Sequence, residues 1–330
     1  MPAVHFSSMT ALESDEIVLA FNDYRAVVSA FGASLRRFWR ESSGEITPIL
    51  WGYSHRDEKK GGQGDVLMPF AGRIPGGTYS FEGNSYTLER NDKEGPNAIH
   101  GFVRTRSWSS RSSNAAASFR LRLAEAEMAA RGYPFSLDLG VSYELSSQGL
   151  SCRFSIQNIG ARPAPVSAGF HPYFQTSGFT INEASLRLPA REVLEFAPGF
   201  LPTGKILALD QLPELNFIRT RSIGATVLNH CFRSLERDEH GWARAELRDP
   251  ASESLTTIRM SPEFDYLVVY TGEALGDDAR RAIAIEPMTA GTDAFNRPQW
   301  GLKVLNPGEY FGGTWSVSNQ VLTPDAELTD

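Results

Sequence analysis

Two side chains in this sequence have the right types to exchange protons near neutral pH. His171 lies in GFHPYF, and Glu286 ends the apolar run RAIAIE just before Pro287. Imidazole is the side chain whose ordinary pKa lies nearest neutrality, and an ionised carboxylate can take a proton from a hydroxyl, so the two types suit general acid and base work. Each also has a plainer reading. A histidine between Phe170 and Tyr173 can be a hydrogen-bonded core residue, and Glu286 can be a sheet-edge carboxylate paired with an arginine. Because Pro287 cannot donate to a ladder, the pattern predicts that the strand ends at Glu286 and turns the carboxylate into whatever cavity the strand end lines.

Two further residues stand in unusual settings. Of the six histidines (His5, His55, His100, His171, His230 and His240), His100 lies between an apolar residue and a glycine in NAIHGFVR. Arg73 lies in PFAGRIPGG, where Gly72, Pro75, Gly76 and Gly77 impose loop geometry around five fixed donors, able to fork onto a carboxylate or sugar hydroxyls. That loop is no phosphate cradle, for it has neither GxxxxGK[ST] nor a strand-GxGxxG-helix setting. No GxSxG elbow argues for a serine hydrolase. HxH, HExxH and CxxC spacings are absent as well, so a metal would have to draw on distant residues such as His100, His171 and Glu286, and none is expected. Aromatic side chains such as Trp108, Tyr173 and Phe264 have apolar faces and polar neighbours that suit sugar stacking, although most aromatics belong to a core.

The elements that position these residues read as strands. Phe135, Leu137, Leu139, Val141, Tyr143 and Leu145 alternate with Ser136, Asp138, Gly140, Ser142 and Glu144, and the alternation restarts after SSQG with Leu150, Cys152, Phe154 and Ile156. A half-buried antiparallel hairpin follows. EIVLAF and YRAVVSAF around Asn22-Asp23 form a second hairpin, and TYSFEG leading through Asn84 into SYTLER a third. TTIRM, FDYLVVYTG, RAIAIEP and EYFGGTWSVSNQ supply more short strands, while only AEAEMAARG and ALGDDARRA have a helical look. The fold class is therefore all-β, a large antiparallel sandwich, and the whole chain, residues 1-330, is read as one domain. The last residues, TPDAELTD, are read as a frayed terminus.

Composition narrows the partners. A net charge of -7 argues against nucleic acid, whose phosphates attract a basic stripe. Only Cys152 and Cys231 are present, too few to staple 330 residues, which points to a reducing compartment. MPAVHFSSMTALESDE has no cationic n-region followed by an apolar h-region, and runs such as YLVVY are far too short to cross a bilayer, so no membrane partner is expected and the cytoplasm is the expected location.

Taken together, these segments resemble the aldose 1-epimerase (mutarotase) family of the galactose mutarotase-like superfamily. PFAGRIPGGTYSFEGNSYTL is similar to its arginine loop and following hairpin, NAIHGFVRTRSW to its His-Gly segment, SAGFHPYF to its His-Pro-Tyr segment and IAIEPMTAGTDAFN to its Glu-Pro segment. LNPGEYF resembles the closing Pro-Gly-Glu stretch, and the likeness runs in order from about residue 16 to about residue 318. The resemblance implies an antiparallel sandwich with a site over one sheet, His171 as general acid, Glu286 as general base, and Arg73 and His100 as sugar-binding residues. Two positions depart from the pattern: Asn229, in LNHCF, stands where many relatives have a substrate-binding aspartate, and Gly72 stands where the loop usually has asparagine.

The implied reaction opens a hemiacetal ring and closes it on the other face, so the anomeric hydroxyl loses a proton while the ring oxygen gains one. It needs neither metal nor organic cofactor. The implied partner is a monosaccharide, with the chain a monomer or homodimer. A hexose-6-phosphate epimerase would need arginines such as Arg104 and Arg106 to converge on a phosphate, a glycosidase would need two carboxylates, and a noncatalytic sugar-binding module would lack the acid or base. His171 and Glu286 are expected across a cleft, separated by the O1 to O5 edge plus two hydrogen bonds of about 2.8 Å.

Overall fold

Alternating side chains become paired strands along most of the chain. In the computed structural model, which describes residues 12–42 and 44–322, Leu137–Ser146 and Gly149–Asn158 form the expected hairpin, with Val141 opposite Phe154. His5, most of the N-terminal stretch and the TPDAELTD tail lie outside the described residues. The hairpin sits in a nine-stranded sheet, where Gly149–Asn158 pairs next with Tyr310–Val321, and that strand in turn with Ser254–Met260.

An eight-stranded sheet faces it. Its spatial order is Leu201–Ala208, Ala190–Ala197, Asn229–Leu235, Tyr266–Tyr270, Ala282–Met288, Gly169–Phe170 and Val66–Leu67, with Tyr173–Gln175 also pairing onto Ala282–Met288. Every ladder among the described strands is antiparallel in both sheets. Leu267, Val269, Ile283 and Ile285 of this sheet share one apolar core with Leu139, Phe154, Trp315 and Val317 of the other. Across the interface the rings of Phe170 and Trp315 lie 5.5 Å apart. The architecture is the antiparallel β-sandwich that the alternation predicts.

Period two then fixes what the other face carries. If Val269 and Ile285 point into the core, Val268, Tyr270 and Glu286 point away from it, and the register sets Val268 between Cys231 and Glu286 and Tyr270 opposite Asn229. This outward face of the eight-stranded sheet holds the candidate site.

Several local expectations need correction. Glu286 does not end its strand: Ala282–Met288 continues through it, with Glu286 opposite Val268 and Pro287 opposite Leu267. The proline is tolerated because the neighbouring segment is broken at the same level. Gly169 pairs with Met288 and Tyr173 with Ala284, leaving His171 and Pro172 outside both short strands. The N–H groups of Ile285 and Thr289 donate to Pro172 and Ala168 of that segment, so the donor that Pro287 lacks would face the break between them. The third hairpin turns at Glu82 and Gly83, both at positive φ, and Asn84 already belongs to its second strand. Of the helical candidates, the first is a five-residue helix, Glu125–Ala129, and the second is a 3-10 segment, Glu273–Asp278, interrupted at Gly276. No helix among the described residues is long and apolar enough to cross a membrane.

Candidate active site

The break in the segment beside Ala282–Met288 delivers His171 directly next to Glu286. Its backbone is held on both sides, with its N–H donating to Asp65 O at 3.0 Å and its carbonyl accepting from Gly64 N at 2.9 Å. The ring stacks on Tyr173 at 5.0 Å, and the Tyr173 hydroxyl is anchored on the Gly61 carbonyl at 2.9 Å. Nε2 of His171 then lies 3.4 Å from Oε1 of Glu286, both side chains being buried. The expected cleft between the two is thus absent; they sit almost in contact at the floor of a cavity of about 290 Å³. The expectation added the spans end to end, whereas O1 and O5 of a pyranose are bonded to the same carbon, and two groups can approach them side by side.

Burial dominates the electrostatics. It takes His171 from 6.5 down to about 3, with Arg104 and Lys59 adding to the fall, and it holds Glu286 well above the usual carboxylate range, against the pull of Arg73. Charge is disfavoured on both members of the pair. Nδ1 of His171 and Oε2 of Glu286 are buried with no protein partner, a costly state for two polar atoms unless something polar meets them.

Arg73, His100 and Asn229 line the same cavity as His171 and Glu286. His100, at φ 61°, is clipped to Gly72: its N–H donates to Gly72 O at 3.1 Å, and its Nδ1 accepts from Gly72 N at 3.3 Å. That assigns the ring proton to Nε2. Burial, with His171, Arg104 and Arg73 nearby, pushes His100 well below 6.5, so it offers a neutral N–H donor. Arg73 is already forked onto carboxylates, donating through Nε to Asp92 at 2.8 Å and through Nη2 to Glu94 at 2.6 Å. Asn229 stands opposite Tyr270, and both line the cavity. Among the described residues no three His, Cys, Asp or Glu side chains are grouped as a metal would require.

The sequence model of the family described as aldose 1-epimerase matches residues 15–318. The chain belongs to this family. It is 29% identical to the uncharacterized protein YihR of Escherichia coli (strain K12) over 299 residues, 90% of each chain. It is 25% identical to galactose mutarotase of Bos taurus over 202 residues, 59% of this chain and 54% of that one. A GalM/aldose epimerase homologue from C. elegans has the same fold, with a TM-score of 0.83 at 20% identity, covering 93% of this chain and 99% of the other.

Within this aldose 1-epimerase fold, the departure at Gly72 has a steric cause. Gly72 adopts φ 75°, and a Cβ there would meet Thr292 Oγ1 at 2.8 Å, so any side chain would displace the threonine. Several cavity residues were not singled out from sequence: Phe196, Phe200 and Tyr270 as apolar wall, and Lys93, Glu94 and Thr292 at its polar parts. Val268 and Tyr270 were detectable through their parity with Glu286, had the register been known. Of the aromatics considered for stacking, Trp108 and Phe264 are core, and Tyr173 supports His171 from beneath. Arg106 is bound to Glu127 at 2.6 Å and points elsewhere, while Arg104 lies 3.9 Å from Asp65.

Proposed function

We propose that this member of the aldose 1-epimerase family interconverts the α and β anomers of a free aldose. The observation that carries the reading is the 3.4 Å approach of His171 Nε2 to Glu286 Oε1 at the floor of a cavity of about 290 Å³. That volume is at the small end of ligand pockets, which start near about 300 Å³, and suits one monosaccharide. In the proposed step the sugar hydroxyls stabilise the charged form of the pair, ionised Glu286 beside protonated His171, against the burial that opposes it. Glu286 takes the proton of the O1 hydroxyl as His171 gives one to the ring oxygen O5, the C1–O5 bond breaks, the chain turns about C1–C2, and closure on the other face runs the transfers in reverse. Protons and charge balance within the pair, so no metal or organic cofactor is called for. His100 donates to a hydroxyl through Nε2–H, and Arg73 and Asn229 hold others, so that O1 and O5 meet the pair.

A phosphosugar substrate is less well supported, because Arg106 is engaged by Glu127 and Arg73 by two carboxylates, leaving no convergent arginine cluster. A cytoplasmic location belongs to the same proposal; it rests on two buried free thiols, Cys152 and Cys231. Anomer exchange followed by NMR across free aldoses and hexose 6-phosphates tests the reading. Glu286→Gln and His171→Asn are each expected to lower turnover by about 100-fold or more, the usual scale for a general acid or base, with the fold intact by circular dichroism. Exchange no faster than buffer in the wild type would favour a sugar-binding module instead.

A further inference from the structure

We propose that Glu94 is a substrate-binding residue whose carboxylate accepts hydrogen bonds from hydroxyls of the aldose, supplying the negative acceptor that uncharged Asn229 does not. The proposal rests on the sugar-binding reading of the cavity and adds to it a determinant of which hydroxyls are read. Among the described residues two carboxylates line the cavity, Glu286 and Glu94, and Glu286 is assigned to proton transfer beside His171. Glu94 uses Oε2 to accept from Arg73 Nη2, while Oε1 has no protein donor among the described residues and its side chain is 52% exposed. Arg73 likewise has Nη1 unused, since Nε goes to Asp92 and Nη2 to Glu94. A free acceptor and a free donor therefore stand side by side, the pattern that two neighbouring sugar hydroxyls complete, one giving and one receiving.

The loop that carries Glu94 is built to hold it there. The Asn91 side chain brackets Ile99, accepting from its N–H at 2.8 Å and donating to its carbonyl at 3.1 Å. Asp92 accepts from Asn97 Nδ2 at 2.9 Å and from the Glu94 N–H at 3.0 Å, besides Arg73. Phe200 underlies the arginine with its ring centre 5.4 Å from the guanidinium carbon, giving the donor and acceptor pair an apolar backing. Burial raises the pKa of Tyr270, which lines the same cavity, and the Glu94 charge adds to the rise. An acceptor fixed in advance binds with little ordering cost.

The competing role for Glu94 is to orient Arg73 without touching sugar, and deoxy sugars separate the two. The KM and kcat of wild type and Glu94→Ala are measured by NMR for the best free aldose and its 2-, 3-, 4- and 6-deoxy analogues, with Glu94→Gln alongside. Glu94→Ala is expected to raise KM about 10- to 100-fold, more than it lowers kcat, because a hydrogen bond to a charged group is lost. The penalty should vanish for one deoxy analogue or two neighbouring ones, and Glu94→Gln should recover part of the affinity. An unchanged KM, or the same penalty for every analogue, overturns the proposal. Ligand-observed NMR of the same sugars with Glu286→Gln and Glu286→Gln/Glu94→Ala reads binding without turnover. A wild type that binds but does not exchange anomers would defeat the catalytic reading, yet a deoxy-dependent loss of binding would still support Glu94; no aldose binding at all would overturn both.

Discussion

His171 and Glu286 share a site in which burial opposes charge, and this has a consequence for stability. The folded protein holds His171 near 3 instead of 6.5, so the unfolded chain takes up a proton over that interval and the folded one does not. Stability that depends on a neutral His171 is complete above pH 6.5 and is lost as pH falls toward 3. Glu286 works in the opposite sense: its raised pKa favours the protonated form, and its contribution is lost as pH climbs above the ordinary 4.5. His171→Asn should therefore remove a loss that grows as pH falls below 6.5, and Glu286→Gln a loss that grows as pH rises above 4.5, the two offsetting each other between those values in the wild type. Urea unfolding midpoints at pH 4, 7 and 9 for the three proteins check this. Curves that run parallel to wild type at both ends would mean that the pair is not the buried, charge-averse unit described.

At the scale of elements, the site depends on the segment 59–65, which supplies both backbone partners of His171 and the carbonyl that anchors Tyr173. This segment is fastened by Asp65, whose buried carboxylate is paired with Lys59 and lies 3.9 Å from Arg104. Burial raises the Asp65 pKa and the two cations oppose the rise. Lys59→Met would leave that carboxylate to a single, distant cation, so that less opposes the burial that disfavours its charge. The expected cost is roughly 1 to 3 kcal/mol, read as a lower Tm, with turnover falling less than in His171→Asn. An unchanged Tm would show that the ion pair does not secure the segment. The strands themselves were legible in the sequence because alternation is local, and so were the motif residues that end up around the cavity. Register was not legible. Glu286 could be put inside its strand only by knowing that His171 and Pro172 interrupt the neighbour, and Phe196 and Tyr270 could be put on its face only by knowing which residues they oppose. Glu94 was hidden for a different reason: NDKEGPN reads as a solvated polar turn, and nothing in it signals that Arg73 draws one of its carboxylates over the cavity.

For the whole molecule, one late strand joins parts of the chain made far apart. Tyr310–Val321 pairs with Gly149–Asn158 on one side and Ser254–Met260 on the other, and in the order of the nine-stranded sheet it is their connection. Its Trp315 and Val317 are buried in the shared core, and Trp315 meets Phe170 two residues before Pro172 closes the break that holds His171. Removing the strand would open two ladder edges at the centre of the sheet and bare the inner faces that Ile258 and Phe154 present. Burying one large apolar side chain contributes about 1.5 to 3 kcal/mol, so Trp315 and Val317 alone carry about 3 to 6 kcal/mol of a net domain stability of about 5 to 15 kcal/mol, before the two ladders and the bared core are counted. A chain ending at residue 309 is therefore expected to lack a cooperative unfolding transition and to lose sugar binding, although every candidate site residue remains in it. A cooperative melt in the truncated protein, with sugar affinity retained, would mean that the eight-stranded sheet holds its site without the sheet behind it.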